Sequence, residues 1–216
     1  TAMNVFCVTA LQEHLMYKET ISSSQEEIDA LKDNKKKQVE NYLQSIDEDL
    51  SIMAASNEVK GALRDFTAGW QALGAEPTEQ LQKLYITDNP NKTGEKLKLD
   101  FATDGSLYSM AHAKYHPWIR KFLQTRDYYD VFLFDMEGNL VYTVFKKLDY
   151  ATNLNSGQWK DTGLGTVFRA ARDNPSEEFS AFDDFKPYKP SFDVPASFIA
   201  KPIMDNGQII GVIAFQ

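Results

Sequence analysis

A chain of 216 residues with 43% hydrophobic content is long enough for one large domain or two small ones, with a buried core. Its formal net charge of −8 excludes a protein that grips nucleic acid through the phosphates, since no arginine-lysine stripe is available to release counterions. The lone Cys7 excludes an intramolecular disulfide and any multi-cysteine zinc site without identifying a compartment.

No apolar run reaches the roughly 18–20 residues of a membrane-spanning helix. Residues 1–20 read as a membrane-proximal or vector-derived segment, and the apolar stretch 3–11 is too short to cross. Three readings of that stretch stay open: the stub of a removed span, added sequence, or the first turns of a helix. From Val39 the apolar positions Val39, Leu43, Ile46, Leu50 and Met53 alternate steps of four and three, the seam of a coiled coil or tight bundle. The triplet Lys35-Lys36-Lys37 just before it reads as a solvated helix face. A second ladder, Val59, Leu63, Phe66, Trp70 and Leu73, ends at Gly74 and Pro77, and Ser56-Asn57 between the two offers a cap. The spacing therefore predicts a long helix over about 22–55 and a shorter one over about 57–73. Pro77 opens another amphipathic stretch with Leu81, Leu84 and Tyr85, residues 87–96 are a loop by composition, and a helix is expected over about 106–125. Its broad face takes Leu107, Met110, Ala111, Lys114, Tyr115, Trp118 and Phe122, and Pro117 is expected to kink or restart it.

After Arg126 the period changes. Residues 128–134 and 140–145 are dense in Val, Phe, Leu and Tyr and flank a turn in which Gly138-Asn139 tolerates positive φ. A helix is expected over about 161–173, with Leu164, Val167, Phe168 and Ala171 on one face and Asn174-Pro175 ending it. Phe179 to Phe182 reads as a short strand, 183–195 as a proline-punctuated loop, and 197–204 and 208–215 as a hairpin across Asp205-Asn206-Gly207. The chain is read as a piece of a longer protein, because it stops within a strand-like run. Helices first and then strand, strand, helix, strand, strand, strand is not the alternation a parallel sheet needs. The fold class is α+β, with a long N-terminal helix and helical bundle (21–126) followed by an antiparallel sheet of about five strands (127–216).

Asp135 with Glu137 two residues on resembles the dehalogenase nucleophile motif, which needs a second aspartate at that spacing, a threonine two beyond it and bound magnesium. Here the second acid is glutamate, the threonine position is Asn139, and the chain returns at once as a neighbouring strand. The hairpin reading is preferred, and the chain is expected not to be an enzyme. His112 and His116 stand one helical turn apart, a metal-compatible spacing, but Ala113 follows His112 and the metalloprotease motif is absent. Both are expected to be solvated or capping histidines, with no metal and no cofactor.

The long helix, the helical segment, "YYDVFLFDMEGNLVYTVFKKLDYATNL", the next helix and the final "AKPIMDNGQIIGVIAFQ" together resemble the extracytoplasmic Cache or periplasmic PAS-like sensor domains of bacterial methyl-accepting chemotaxis proteins and related sensor kinases, over residues 21–216. The resemblance implies a PAS-like sheet whose concave face holds a small polar organic ligand (amino acid, amine or organic acid). It also implies a homodimer through the N-terminal helix, and membrane anchoring that passes binding to an intracellular signalling domain. A chemotaxis protein is the preferred reading; the sensor domain of a histidine kinase or of a nucleotide or diguanylate cyclase, and a structural module that binds protein, are its rivals. On this sequence the implied pocket takes Tyr128, Asp130 and Phe132 from the first strand and Tyr142 from the second. From the following loops it takes Asp149, Tyr150, Trp159, Phe182, Asp184, Tyr188 and Ser191. Aromatic walls exclude water and charges fix orientation; large aromatics also serve packing. Amino-acid-sensing members hold the ligand carboxylate with arginine, tryptophan and tyrosine, and Tyr115, Trp118 and Arg120 offer the same types in another order.

Overall fold

The computed structural model describes the backbone of residues 2–216 and the side chains from residue 11 onward. The expectation for 3–11 concerns side chains that lie mostly outside the described residues. Helix α1 (Ala2–Ala55) begins well before the expected position near 22, and the sequence gives the reason: no glycine or proline occurs before Gly61. Two compact units divide the chain, Thr1–Ile46 and Asp47–Gln216. In the first, Val39 and Leu43 of the expected seam are exposed, as are Leu15, Ile21, Ile28 and Leu31. The other end of that seam, Leu50 and Met53, is buried in the second unit, so the ladder serves two environments. No described helix is long and apolar enough to cross a membrane.

In the second unit α2 (Asn57–Ala72) starts where Ser56 accepts the Val59 amide at 3.1 Å. Then come α3 (Pro77–Gln82), a π turn over Lys83–Thr87, and α4 (Leu107–Arg126). Helix α2 meets α4 at Gly69, where a Cβ would stand 2.6 Å from the Tyr108 Cα, so only glycine permits the approach. Pro117 lies inside α4 without ending it. The buried face of α4 is only partly the expected one: Ala111 and Tyr115 are buried as expected, whereas Leu107, Met110 and Trp118 are exposed and Tyr108, His112, His116, Ile119 and Leu123 are buried in their place. Tyr108, His112 and His116 are accommodated there by hydrogen bonds to the Val141 carbonyl, the Asp100 carbonyl and Tyr142.

The sheet comprises β1 (Val131–Phe134), β2 (Leu140–Thr143), β3 (Ala181–Tyr188), β4 (Val194–Asp205) and β5 (Gln208–Phe215), all antiparallel, in the order β2-β1-β5-β4-β3. This is the α+β arrangement expected, helices first and then an antiparallel sheet of five strands. The β4–β5 turn has Asn206 and Gly207 at φ 49° and 78°, the conformation its sequence predicts. The third strand departs from expectation, because most of the stretch read as a loop pairs with β4, from Ala181↔Ala200 to Tyr188↔Val194. Pro187 is tolerated because β3 is an edge strand with one side free of ladder bonds. Helix α5 (Gly163–Arg172) covers one face with Leu164, Val167, Phe168 and Ala171, against Phe132, Phe134, Phe198 and a floor of Ala181, Ala196, Ala200 and Ala214. On the opposite face Tyr142 stacks on Phe66 of α2 at 4.8 Å.

Candidate ligand site

β5 ends at Phe215, which pairs with both Val131 and Ile199, so residues 194–198 of β4 run beyond it with only β3 beside them. At this end β1 begins, β2 ends and β3 turns into a short 3-10 segment, Lys189–Ser191. Four buried polar residues converge there. Asp130, just before β1, accepts on Oδ1 from the backbone amides of Val131 (2.8 Å), Val144 (2.9 Å) and Phe145 (3.3 Å), which ties the start of β1 to the end of β2. Asp149, in the loop after β2, accepts the Tyr188 hydroxyl on Oδ2 at 2.5 Å. Ser191 accepts from Lys147 Nζ at 2.6 Å. Asp130 and Asp149 are each only 1% exposed, and each keeps one buried oxygen without a partner, Asp130 Oδ2 and Asp149 Oδ1.

The electrostatics follow from burial. Loss of water pushes the Asp130 carboxyl up to about 7, with the nearby Asp149 adding to the rise and Lys147, the Val144 amide and Lys146 opposing it. Burial also raises Asp149, against the Tyr188 hydroxyl and Lys147. Tyr188 is held well above an ordinary phenol by burial and then by Asp149. Neither lysine forms a hydrogen bond to these acids. Lys147 Nζ sits 3.9 Å over the Tyr129 ring while it holds Ser191. Buried Lys146 donates to the Thr143 carbonyl, with the Tyr142 and Tyr150 ring centroids at 4.6 and 5.1 Å.

Of the residues the sequence nominated, the structure brings Asp130, Asp149, Tyr188 and Ser191 together at this end of the sheet. Phe132 is in the core beneath α5, and Trp159 packs against that core while its indole donates to the Leu148 carbonyl at 3.2 Å. Tyr142 and Tyr150 lie in the tyrosine-histidine cluster on the opposite face, where Tyr142 bonds His116 at 2.7 Å and Tyr150 bonds Tyr108 at 2.8 Å. Tyr128 donates to Asp49 at 2.6 Å and stacks on Phe215. Arg120 pairs with Asp100 at 2.7 Å and donates to the Leu97 carbonyl. Trp118, Phe182 and Asp184 are exposed. Sequence reasoning passed over Lys147, although two adjacent lysines directly after a strand were the available signal.

The histidines are neither solvated nor capping. His112 and His116 are fully buried and stacked at 4.3 Å. His116 spends both nitrogens on Tyr142 and the Leu97 carbonyl, and His112 Nδ1 meets the Asp100 carbonyl at 2.5 Å. Burial, then the Lys146 charge, drives His116 down to about 2, so both rings are neutral at ordinary pH. Among the described residues no three potential ligands gather around a metal position. Asp135 is a turn residue whose two oxygens take the backbone amide and side-chain amide of Asn139 at 2.9 and 2.7 Å, so its side chain closes the β1–β2 turn. A cleft of about 320 Å³, lined by Asp47, Ser51, Glu177, Glu178 and Lys201 among others, includes none of the nominated residues.

No protein-family model and no curated protein matches the chain. Among solved structures, the sensor domain of the Vibrio cholerae histidine kinase DctB is similar at 14% identity and TM-score 0.39, over 74% of this chain and 54% of that one. The ligand-binding domain of the Pseudomonas fluorescens chemoreceptor CtaA, solved with L-serine, is similar at 15% identity and TM-score 0.33, over 83% and 59% respectively. This chain thus spans less than two thirds of either structure, and at these TM-scores the likeness carries no argument about what it binds.

Proposed function

We propose that residues 47–216 are the extracytoplasmic ligand-binding module of a bacterial membrane receptor, with the ligand held at the Asp130-Asp149 end of the sheet. One observation supports this reading above the others: two fully buried carboxylates each keep an oxygen that no protein group satisfies. Buried polar atoms in folded proteins are nearly always paired, so an orphaned pair marks a place where a ligand or water completes the bonding. The structural requirements of the sheet are already met by Oδ1 of Asp130 and Oδ2 of Asp149, which leaves the other two oxygens for recognition.

In this reading α1 (Ala2–Ala55) is the element that passes a change at the ligand site toward the membrane. Its exposed positions Val39 and Leu43 form the proposed homodimer face. A methyl-accepting chemotaxis protein is the output we favour, and a histidine kinase or nucleotide cyclase accepts the same input. A protein-binding role is the second reading, favoured by the exposed Phe182, Phe185 and Phe192 along the edge strand and its turn.

A thermal-shift screen against amino acids, amines, organic acids and purines tests the proposal, since a compound that binds only the folded state raises the melting temperature. The expected hit is lost in Asp149→Ala and kept in Asp184→Ala, whose side chain is exposed away from the buried pair. An absence of hits in every class, with capture of a purified partner domain abolished by Phe185→Ser, transfers the assignment to the protein-binding reading.

A further inference from the structure

We propose that the cleft between α1 and β4 is a docking groove for an extended, arginine-bearing segment of a partner protein, which pairs with β4 where β3 does not reach. The groove lies toward the β4–β5 turn, whereas Asp130 and Asp149 lie at the opposite end of the sheet, so its occupancy is separate from the sensor assignment.

The backbone provides the opening. Strand β3 begins at Ala181, which pairs with Ala200, so residues 201–205 of β4 have β5 as their only strand neighbour. Upstream of Ala181 the chain does not extend the ladder, because the Phe179 amide turns back onto the Ser176 carbonyl at 3.0 Å. Pro202 fits this stretch, since a proline is tolerated where one flank of a strand has no ladder to feed. The cleft, of about 320 Å³, runs beside that flank, with Lys201, Pro202 and Met204 on one wall and Glu177 and Glu178 on another. On the α1 wall Asp47, Ser51, Ala54 and Ala55 recur at helical spacing, and the two alanines leave the gap unfilled. All of these residues belong to the second compact unit. At about 3.4 Å per residue, the Lys201–Met204 flank has room for about four residues of an added strand.

The charges choose the occupant. Three carboxylates, Asp47, Glu177 and Glu178, line the cleft with one ammonium, Lys201. Lys201 is buried and already engaged: its Nζ donates to the Glu177 carbonyl at 3.3 Å and stands 3.7 Å from Asp47 Oδ1, which also accepts the Ser180 hydroxyl. Asp47 Oδ2 and the two glutamate carboxylates have no protein partner among the described residues. An acidic segment therefore meets net repulsion, and a basic one meets complementary charge. A guanidinium grips a carboxylate with two parallel donors, which an ammonium cannot do, and its aliphatic stem matches the apolar surface of Ala54, Ala55 and Met204. Main-chain pairing with β4 supplies affinity and the acidic rim supplies specificity, the division of labour found in strand addition.

The test uses the intact chain with two blocked peptides as probes, acetyl-Arg-Val-Arg-Val-amide and its acidic counterpart acetyl-Glu-Val-Glu-Val-amide. The readout is the methyl NMR signals of Ala54, Ala55 and Met204. The basic peptide is expected to shift these signals saturably, and the acidic one to leave them in place. At least one backbone amide among residues 203–205 is expected to gain protection from hydrogen exchange in the complex. Replacing the exposed pair by Glu177→Gln and Glu178→Gln is expected to weaken the basic peptide about tenfold at low salt and less as salt rises. Ala55→Leu, at an exposed position of α1, narrows the cleft and is expected to abolish binding while the Val212 and Ile213 methyl signals of β5 stay unchanged. Equal shifts from both peptides, or an affinity untouched by the glutamine pair, overturn the arginine assignment. Ethylguanidinium that binds as tightly as the basic peptide, with no gain in amide protection, overturns strand addition and leaves a site for small cations. No shift from either peptide overturns the groove.

Discussion

The two faces of the sheet differ in how many buried polar groups they hold and network. Beneath α2 and α4, most polar atoms are paired with one another: Tyr85 with Ser109 at 2.8 Å, Tyr108 with the Val141 carbonyl at 2.6 Å, Tyr150 with Tyr108, and His116 with Tyr142 and Leu97, while His112 Nε2 is left without a partner. On the α5 side the interior is aliphatic and aromatic, and at its margin two acids keep unsatisfied oxygens. A network closed on itself resists change and fixes a structure. An open one at a strand end, beside loops that can adjust, is suited to exchange its partners with solvent. In the reading proposed above, the first is a structural face and the second a responsive one.

The sharpest way to break this comparison is to cut into the closed face. Phe66 is fully buried and stacks on Tyr142, so Phe66→Ala is expected to cost about 3–5 kcal/mol in urea unfolding. Ligand affinity of the fraction that remains folded is expected to be unchanged. A loss of affinity out of proportion to the loss of folded protein would show that the two faces are one energetic system.

On the responsive face the expected sign is reversed. Asp130 has its folded value raised to about 7 from an ordinary 3.8, so its contribution to stability is fully present below the unfolded value and is lost as pH rises through the folded one. Asp130→Asn keeps an Oδ1 acceptor for the three backbone amides and removes the ionisation. The variant is expected to match the parent near pH 4 and to exceed it by about 1–3 kcal/mol near pH 8. A parallel offset at both values would refute the ionisation account.

Lys146 sharpens the comparison from within the closed face, because it is a charge among rings rather than a member of the hydrogen-bond chain. Burial lowers its folded value from 10.5 to about 7, so its contribution is present above the unfolded value and is lost as pH falls through the folded one. Lys146→Met is therefore expected to stabilise by about 1–2 kcal/mol, more at pH 6 than at pH 9, in thermal unfolding across that range. An unchanged or reduced stability at the lower pH would mean that the tyrosine cage compensates the charge in full.

How far the sequence disclosed these faces depended on whether the decisive interaction was local. The Ser56 cap, the Asp205-Asn206-Gly207 turn and the Leu164-Val167-Phe168-Ala171 stripe are set by residues a few positions apart, and each was legible. Strand β3 was not, because Asp183, Asp184 and Pro187 spoil the alternation that marks a half-buried strand, and only its partner β4 organises them. His112 and His116 were misjudged for the same reason, since their partners, Tyr142, Asp100 and Leu97, come from other elements. At the candidate site, Asp130, Asp149, Tyr188 and Ser191 entered through a family resemblance. Lys147 was missed, because the Lys146-Lys147 pair after β2 reads as a solvated pair until Ser191 is brought to Lys147 from 44 residues away.

The Val39–Met53 seam shows the limit of periodicity most clearly, because one ladder divides between two environments. Leu50 and Met53 are 0% and 3% exposed in the second unit, whereas Val39 and Leu43 are 58% and 44% exposed. If the exposed half is the dimer face, replacing Val39 and Leu43 together with glutamate places like charges across the seam. Such a double variant is expected to sediment as a monomer at concentrations where the parent is a dimer. Its monomer unfolding should shift by no more than about 0.5 kcal/mol, since neither side chain contributes to the core of the second unit. A parent that is monomeric at all accessible concentrations would confine the ladder's role to Leu50 and Met53.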